Sequence, residues 1–319
     1  MTFPCFSSIW ADRKYQDLTL TPNDIELVSG HLKARGPLRL EAYVECIDHT
    51  VSRETFTLFH ERERDLLITF PRPPENKLSD YYESEDYISH TDAKRNLIER
   101  IYHVAKEYSL KRKLKLIDRF SPQGKRLLDI GAGTGDFLKT CQDAGWDVTG
   151  IEPSDKARRL SESKVGSDKC HDSLERFMKT NSGEFDVITL WHVLEHVPDL
   201  YEFIARIKSL LSKNGCLVVA VPNFKCADAE FYGKHWAAYD VPRHLWHFSR
   251  NSIERIFSDF EMEVAEEAPL YFDSFYVSLL SEKYRHGRPR YLAGFYQGLK
   301  SNIRARASGE YSSLIYVLK

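Results

Sequence analysis

Residues 127–138 read LLDIGAGTGDFL: an apolar strand running into Asp129, glycines at 131, 133 and 135, then the start of a helix. Such a turn lets a ligand approach bare backbone, because a side chain at these positions would stand in its way. The helix that follows points free N–H groups and its positive dipole end at the same place. A carboxylate at the strand end repels a pyrophosphate and favours a ligand carrying an ammonium group. The dinucleotide fingerprint G-x-G-x-x-G is also missed in spacing. The third glycine comes one residue early, and Asp136 stands where the fingerprint needs it.

Further acids and histidines follow at intervals that a strand–helix alternation would gather at one sheet edge. WDVTGIEPS at 146–154 is a second short strand ending in Glu152. A carboxylate there accepts hydrogen bonds from both hydroxyls of a ribose. It also suits the first turn of a helix capped by Ser154. FDVITLWHVLEHVPD at 185–199 opens with a β-branched apolar run, a buried strand, and continues through Trp191, His192, Leu194, Glu195 and His196. CLVVAVPN at 216–223 is another strand, and WAAYDVPRHLWHFS at 236–249 carries Asp240, Arg243 and His244.

With Asp129 in front, the turn reads D-x-G-x-G-x-G. It resembles motif I of the class I S-adenosylmethionine (SAM) dependent methyltransferases. The Leu-Glu-His-Val segment resembles motif IV of their small-molecule members, and CLVVAVPN resembles their fifth strand. The resemblance covers roughly 122–266. It implies an α/β fold, a Rossmann-like seven-stranded methyltransferase sheet with helices on both faces. SSLIYVLK at 312–319 would be its last, antiparallel strand. It implies SAM held by Asp129, Gly131, Ala132, Gly133, Gly135, Phe137, Glu152, Pro153 at the adenine edge, Asp172, Leu190 and Trp191.

Residues 46–90 and 236–249 are similar to a bacterial subfamily, many of whose members carry an N-terminal zinc ribbon. Where those members have Cys-x-x-Cys, this chain has HERERD at 60–65. Only Cys46 remains as a ligand, and tetrahedral zinc takes four. No metal is expected. Some ubiquinone-type O-methyltransferases resemble 192–196 with Glu-x-x-Glu-His and bind a divalent cation there, but the first acid is His192 here.

Methyl transfer is an in-line displacement that mainly needs alignment, and a hydroxyl acceptor also needs a base. His196 is the first candidate base and His244 the second. Arg243 is a candidate to hold an anionic acceptor group, and Asp240 to orient either histidine. The structural alternatives are packing for His196 and a salt bridge for Asp240 and Arg243. His192 and His247 read as structural. H-x-x-E-H at 192–196 is also the string of a zinc hydrolase, which requires one continuous helix. The preceding strand and Pro198 favour a strand-to-loop turn. A nucleic-acid methyltransferase is a third reading, disfavoured because 190–192 do not match the Asn/Asp-Pro-Pro-aromatic loop of base methylation. The acceptor implied is a small molecule, methylated on oxygen, carbon or nitrogen: a glycan, a quinol or a lipid precursor.

Composition narrows the class. Hydrophobic content of 42% and charge of 29% are those of an ordinary globular chain. A net charge of −2 gives no general attraction to nucleic acid or anionic membrane. Six scattered cysteines without C-x-x-C fit reduced thiols and a cytoplasmic setting, and no apolar run reaches membrane length.

Three parts are expected. Residues 1–75 form a small β-rich appendage, ending at PRPPEN. Residues 76–121 form a helical linker and lid, with Tyr87 and His90 facing the cofactor. The catalytic domain, 122–319, carries substrate insertions at 224–250 and 270–310. Tyr239 joins the lid set, and Trp236, Trp246, Tyr271, Phe272 and Phe275 are candidates to line a partly apolar cleft. A helix at 251–259 is capped by Asn251 or Ser252. KRKLK at 111–115 is a solvated helix face. Lys283, Arg285, His286, Arg288 and Arg290 are candidates for a phosphate or carboxylate site, or plain surface.

Overall fold

The computed structural model describes residues 22–33, 38–74, 77, 79–82, 97–121, 124–180 and 183–319. The chain begins with α1 (Pro22–His31) and an antiparallel run of β1 (Leu40–Ile47), β2 (Thr55–Glu61) and β3 (Leu66–Phe70). A long helix, α2 (Leu97–Phe120), leads into alternating strands and helices: β4 (Arg126–Ile130), α3 (Asp136–Asp143), β5 (Asp147–Ile151), α4 (Asp155–Val165), β6 (Cys170–His171), α5 (Leu174–Thr180), β7 (Phe185–Trp191), α6 (Leu200–Lys208) and β8 (Leu211–Pro222). Then come α7 (Ala227–Tyr232), β9 (Trp246–His247), α8 (Arg250–Ser258), β10 (Val264–Pro269), α9 (Asp273–His286), α10 (Tyr291–Ser308) and β11 (Ser313–Leu318).

Seven strands form one sheet in the order β10-β11-β8-β7-β4-β5-β6. The five from β8 to β6 are parallel, and β11 runs antiparallel to both neighbours. This is the Rossmann-like methyltransferase sheet expected from the sequence. Its central strands are mostly apolar because both faces are covered. Leu128, Ile188, Leu217 and Val219 enter one core, and Leu127, Val187, Val218 and Ala220 enter the core on the opposite face. Burying each such aliphatic side chain contributes about 1.5–3 kcal/mol. Strand order reverses at β4, which lies between β5 and β7. Ligands of such sheets bind beyond the carboxyl ends of the strands at that switch point.

The first three strands make a second sheet, completed by β9 through Leu67↔His247 and Ile68↔Trp246. Its inner residues Phe59, Leu66, Ile68 and Phe70 share a core with Leu194, Leu200 and Phe257. The segment 22–31 is a helix, where strand-like pieces were expected. Proline at its first position is tolerated because the missing N–H would be unpaired there anyway. Val28 and Leu32 are fully buried, and His31 pairs with Asp199 at 3.0 Å. The cap of α8 is Ser249 rather than Asn251 or Ser252. Ser249 and Ser252 exchange bonds as a capping box, so Ser252 occupies the third helical position. Cys46, expected to be the one survivor of a zinc set, is buried in an apolar cluster with Phe56, Leu58 and Leu67.

Candidate active site

The glycine turn sits at the end of β4. The Gly131 and Ala132 N–H groups both donate to the Ile151 carbonyl, which joins the turn to β5. All three glycines have positive φ: 74°, 55° and 77°. They do different work. A Cβ on Gly135 would meet the Ser161 backbone at 2.7 Å, so this glycine seats α3 against α4. A Cβ on Gly131 would meet Val193 at 2.4 Å. A Cβ on Gly133 would meet nothing within 4 Å. The space in front of Gly133 is open. Glu152 closes that space: its carboxylate accepts from Gly133 N–H and from Ser154 N–H, both at 2.8 Å. Ser154 caps α4, as expected.

Asp129 is 1% exposed. It pairs in register with Thr189 on β7, whose hydroxyl donates to it at 2.6 Å. Burial pushes its carboxyl up to about 7, against the Thr189 bond and the nearby Lys113 charge. A buried carboxylate so poorly compensated accommodates a cationic ligand. Lys113 was missed by the sequence reading of KRKLK as a solvated face. Its ammonium lies 4.0 Å over the Trp191 ring, and burial lowers it to about 8. The available signal was spacing: Lys113 lies one helical turn from Leu110, Leu116 and Ile117, all on the packed side of α2. Trp191 also meets the edge of Phe137 at 5.4 Å, and its indole N–H is buried without a partner among the described residues. Leu190 is fully buried behind it. Pro153 is exposed beside the loop, and Asp172 pairs with Arg176 at the end of β6.

After β7 the chain turns sharply. His192 has φ 57°, and 194–196 is a single 3-10 turn. The H-x-x-E-H residues therefore do not share one helix face, and the zinc-hydrolase geometry is not formed. His192 bridges two carboxylates, Glu195 at 3.3 Å and Asp273 of α9 at 3.0 Å. Burial opposes its charge, but these bonds prevail and raise its pKa to about 10. His196 and His244 meet edge to face at 4.6 Å. Leu245 N–H donates to the Glu195 carbonyl, which holds the 236–249 segment against the turn. His196 Nδ1 lies 3.0 Å from the Arg243 carbonyl and 3.0 Å from the Tyr82 hydroxyl. A carbonyl only accepts, so Nδ1 carries a proton and, in the neutral ring, Nε2 holds the lone pair. His244 Nδ1 bonds the Ala238 carbonyl at 2.9 Å in the same way. Burial and the neighbouring His196 lower its pKa to about 4, so it is neutral near pH 7.

Arg243 is not placed to hold an acceptor. It is 2% exposed and its guanidinium is occupied by Asp240, Asp48 and the Tyr81 carbonyl. Asp240 serves this pair first, and its Oδ2 is 4.0 Å from His244. Tyr239 is likewise core rather than lid: it is 3% exposed and packs on Trp236. Trp246 is fully buried, under the Arg72 guanidinium. Tyr87 and His90 lie outside the described residues. An open cleft beside Lys113 is lined by Tyr108, Arg112, Tyr271, Phe272 and Asp273.

Residues 102–267, just over half of the chain, match the family model described as a methyltransferase domain. The chain belongs to that methyltransferase family. It is a class I, SAM-dependent member. Among curated proteins, the methyltransferase is 40% identical over 127 residues to a ubiquinone biosynthesis O-methyltransferase of Aromatoleum aromaticum, covering 38% of this chain and 54% of that protein. It is 30% identical over 161 residues to one from Rhodopseudomonas palustris, covering 47% and 63%. The chain thus spans about half to two thirds of the length of these relatives. Among solved structures, magnesium protoporphyrin IX methyltransferase from Synechocystis with bound S-adenosylhomocysteine aligns with a TM-score of 0.49 at 15% identity, covering 77% of this chain and 99% of that one.

The family's cofactor is SAM, and the residues fit it: open space at Gly133, a carboxylate at Glu152, a buried Asp129 and an unpartnered Trp191 N–H. A divalent cation fits less well. Glu195, His196 and His244 offer donor atoms within 4.8 Å of one another. The place of the first acid, however, holds the imidazolium of His192, which already occupies Glu195 Oε1. One carboxylate so neutralised and two imidazoles are a poor set for a hard, oxygen-seeking ion.

Proposed function

We propose that this methyltransferase O-methylates a small-molecule hydroxyl, with a quinol-type phenol as the acceptor class. The observation that carries the reading is His196: its Nδ1 lies against the Arg243 carbonyl, so the neutral ring presents Nε2 as its acceptor, in the turn that follows β7. That strand end adjoins the glycine turn across the β4–β7 register. The ubiquinone biosynthesis O-methyltransferases among the relatives support the choice of an oxygen acceptor.

SAM, when bound, supplies a methyl group on a positively charged sulfur that leaves as a neutral thioether. The chain's residues then have three tasks. Glu152 and the bare backbone at Gly133 fix the nucleoside end, while Asp129, Lys113 and Trp191 surround the amino-acid end. His196 Nε2 takes the hydroxyl proton as the oxygen attacks. His244, kept neutral by burial, packs against the His196 ring without adding a competing charge, and the Arg243 carbonyl fixes the tautomer.

The test is transfer of radiolabelled methyl from SAM to a panel of catechols and hydroquinones, with glycans and lipid precursors as further arms. Label is expected on a phenolic oxygen, and dialysis against EDTA should leave the rate within about twofold, since no step uses a metal. Label on nitrogen or carbon would contradict the reading. So would a rate abolished by EDTA and restored by a divalent cation.

A further inference from the structure

The hairpin of α9 and α10 has two unlike sides. On α10, Gly294, Gly298, Ser301 and Ala305 recur at helical spacing and are buried, the two glycines against α9 and Ser301 through its hydroxyl on Asp228 of α7. A Cβ on Gly298 would meet the Phe275 backbone at 2.8 Å, and one on Gly294 the Leu279 backbone at 2.9 Å. The opposite side of the same helix carries Leu292, Tyr296, Leu299 and Ile303, again at i, i+4, i+7 and i+11. These four are 89%, 65%, 42% and 55% exposed. An apolar stripe turned outward, opposite a close-packed one, adds little to the packing of the described residues.

Charge tells what would cover it. From Lys283 to Gly309 the chain has seven cations, Lys283, Arg285, Arg288, Arg290, Lys300, Arg304 and Arg306, and no Asp or Glu. The whole chain has a net charge of −2, so the remainder is at −9. Glu230 and Glu282, from neighbouring positions, pair with Arg304 and Arg290. They offset only part of the excess. By helical angle, Lys300 and Arg304 flank the apolar stripe on one side and Arg306 on the other.

We propose that the α9–α10 hairpin lays this face on an anionic lipid bilayer, with the apolar stripe at the acyl boundary and the flanking cations among the headgroups. An exposed apolar helix face edged with Lys and Arg is the build of an interfacial helix. No described helix is long and apolar enough to cross a membrane, so the hairpin lies on the surface. The near-neutral net charge, which argued against membrane attraction, averages away this local asymmetry. The placement is also functional. Asp273 starts α9 and bonds His192 at the site, and the cleft beside Lys113 opens among Tyr108, Tyr271 and Phe272, all exposed. An acceptor dissolved in the membrane would meet that cleft without crossing water.

Flotation with vesicles tests this without reference to catalysis. The full chain should float with phosphatidylcholine vesicles containing phosphatidylglycerol, and far less with phosphatidylcholine alone. Raising salt should release it, since surface attraction acts within about one Debye length of ~8 Å at physiological salt. Leu292→Ser, Leu299→Ser and Ile303→Ser combined should lower the partition coefficient by at least about tenfold. Lys300→Gln with Arg306→Gln should lower it by roughly fivefold per cation removed. All five side chains are outward, so both variants should melt with the wild-type chain. A wild-type chain that stays off anionic vesicles overturns the proposal. So does sedimentation showing a dimer that the triple serine variant dissociates, or vesicle binding that duplex DNA abolishes and both variants retain.

Discussion

His196→Ala lowers the methyl-transfer rate at saturating SAM by about 10²- to 10⁴-fold, the usual contribution of a positioned general base. SAM affinity should change by less than about twofold, because the loss is confined to the transition state. The split between the two constants is what distinguishes a base from a packing residue. The His196 ring lies edge to face with His244 at 4.6 Å, so a purely structural histidine would on removal disturb the 236–249 segment and lower stability as well. His196→Gln keeps much of that contact and should be as inactive as the alanine variant. A thermal melt beside the kinetics decides the matter. Equal losses of rate, affinity and melting temperature would make His196 structural, and the base would have to be sought elsewhere.

Arg243→Ala should destabilise the fold by about 3 kcal/mol, the low end for breaking a buried ion pair from one side. The guanidinium joins Asp48, in the turn after β1, to Asp240 in the loop before β9. It thereby ties the N-terminal sheet to the segment that orients His196. Asp48 also accepts from Thr50, Val51 and Ser52, which keeps the cost from reaching the upper end of the range. Those bonds and the arginine outweigh burial and hold the Asp48 carboxyl well below its ordinary 3.8. A depressed folded pKa stabilises above the unfolded value and loses that contribution as pH falls. The difference between wild type and Arg243→Ala should therefore be full at neutral pH and shrink in acid below 3.8. Denaturant melts at pH 7 and pH 3 measure it. If Arg243 instead anchored an acceptor, the variant would melt with the wild type and show only a raised KM.

The parts of this arrangement that are local in sequence could be read from it. The glycine turn, Glu152 one β-α-β step later and the strand ending at Trp191 each lie within a dozen contiguous residues, and their spacing carries the chemistry. Ser154 could be read as a cap for the same reason. What escaped depended on distant partners. Arg243 reads equally as an acceptor anchor or a partner of Asp240 until Asp48, 195 residues earlier, is placed against it. Tyr239 and Trp236 look like cleft aromatics, yet β1–β3 covers them, and that sheet needs β9, a two-residue strand with no periodicity to detect. Lys113 was masked by its neighbours, since a basic run reads as solvated although helical spacing places one of its members over Trp191. The stretch that forms the α9–α10 hairpin was legible as an insertion bearing aromatic residues. Its outward stripe became visible only when Gly294 and Gly298 showed which side packs.

Titration calorimetry of SAM against the wild-type chain and Gly133→Leu tests the central claim most directly. The variant is chosen because a Cβ at Gly133 meets nothing within 4 Å, so the added side chain enters ligand space rather than protein. Its φ of 55° adds only about 1–2 kcal/mol of backbone strain, and the variant should fold. One SAM site per wild-type chain is expected, with no measurable heat of binding in Gly133→Leu. Unchanged SAM affinity in that variant, or NADH binding to the wild type where SAM does not, would contradict the account.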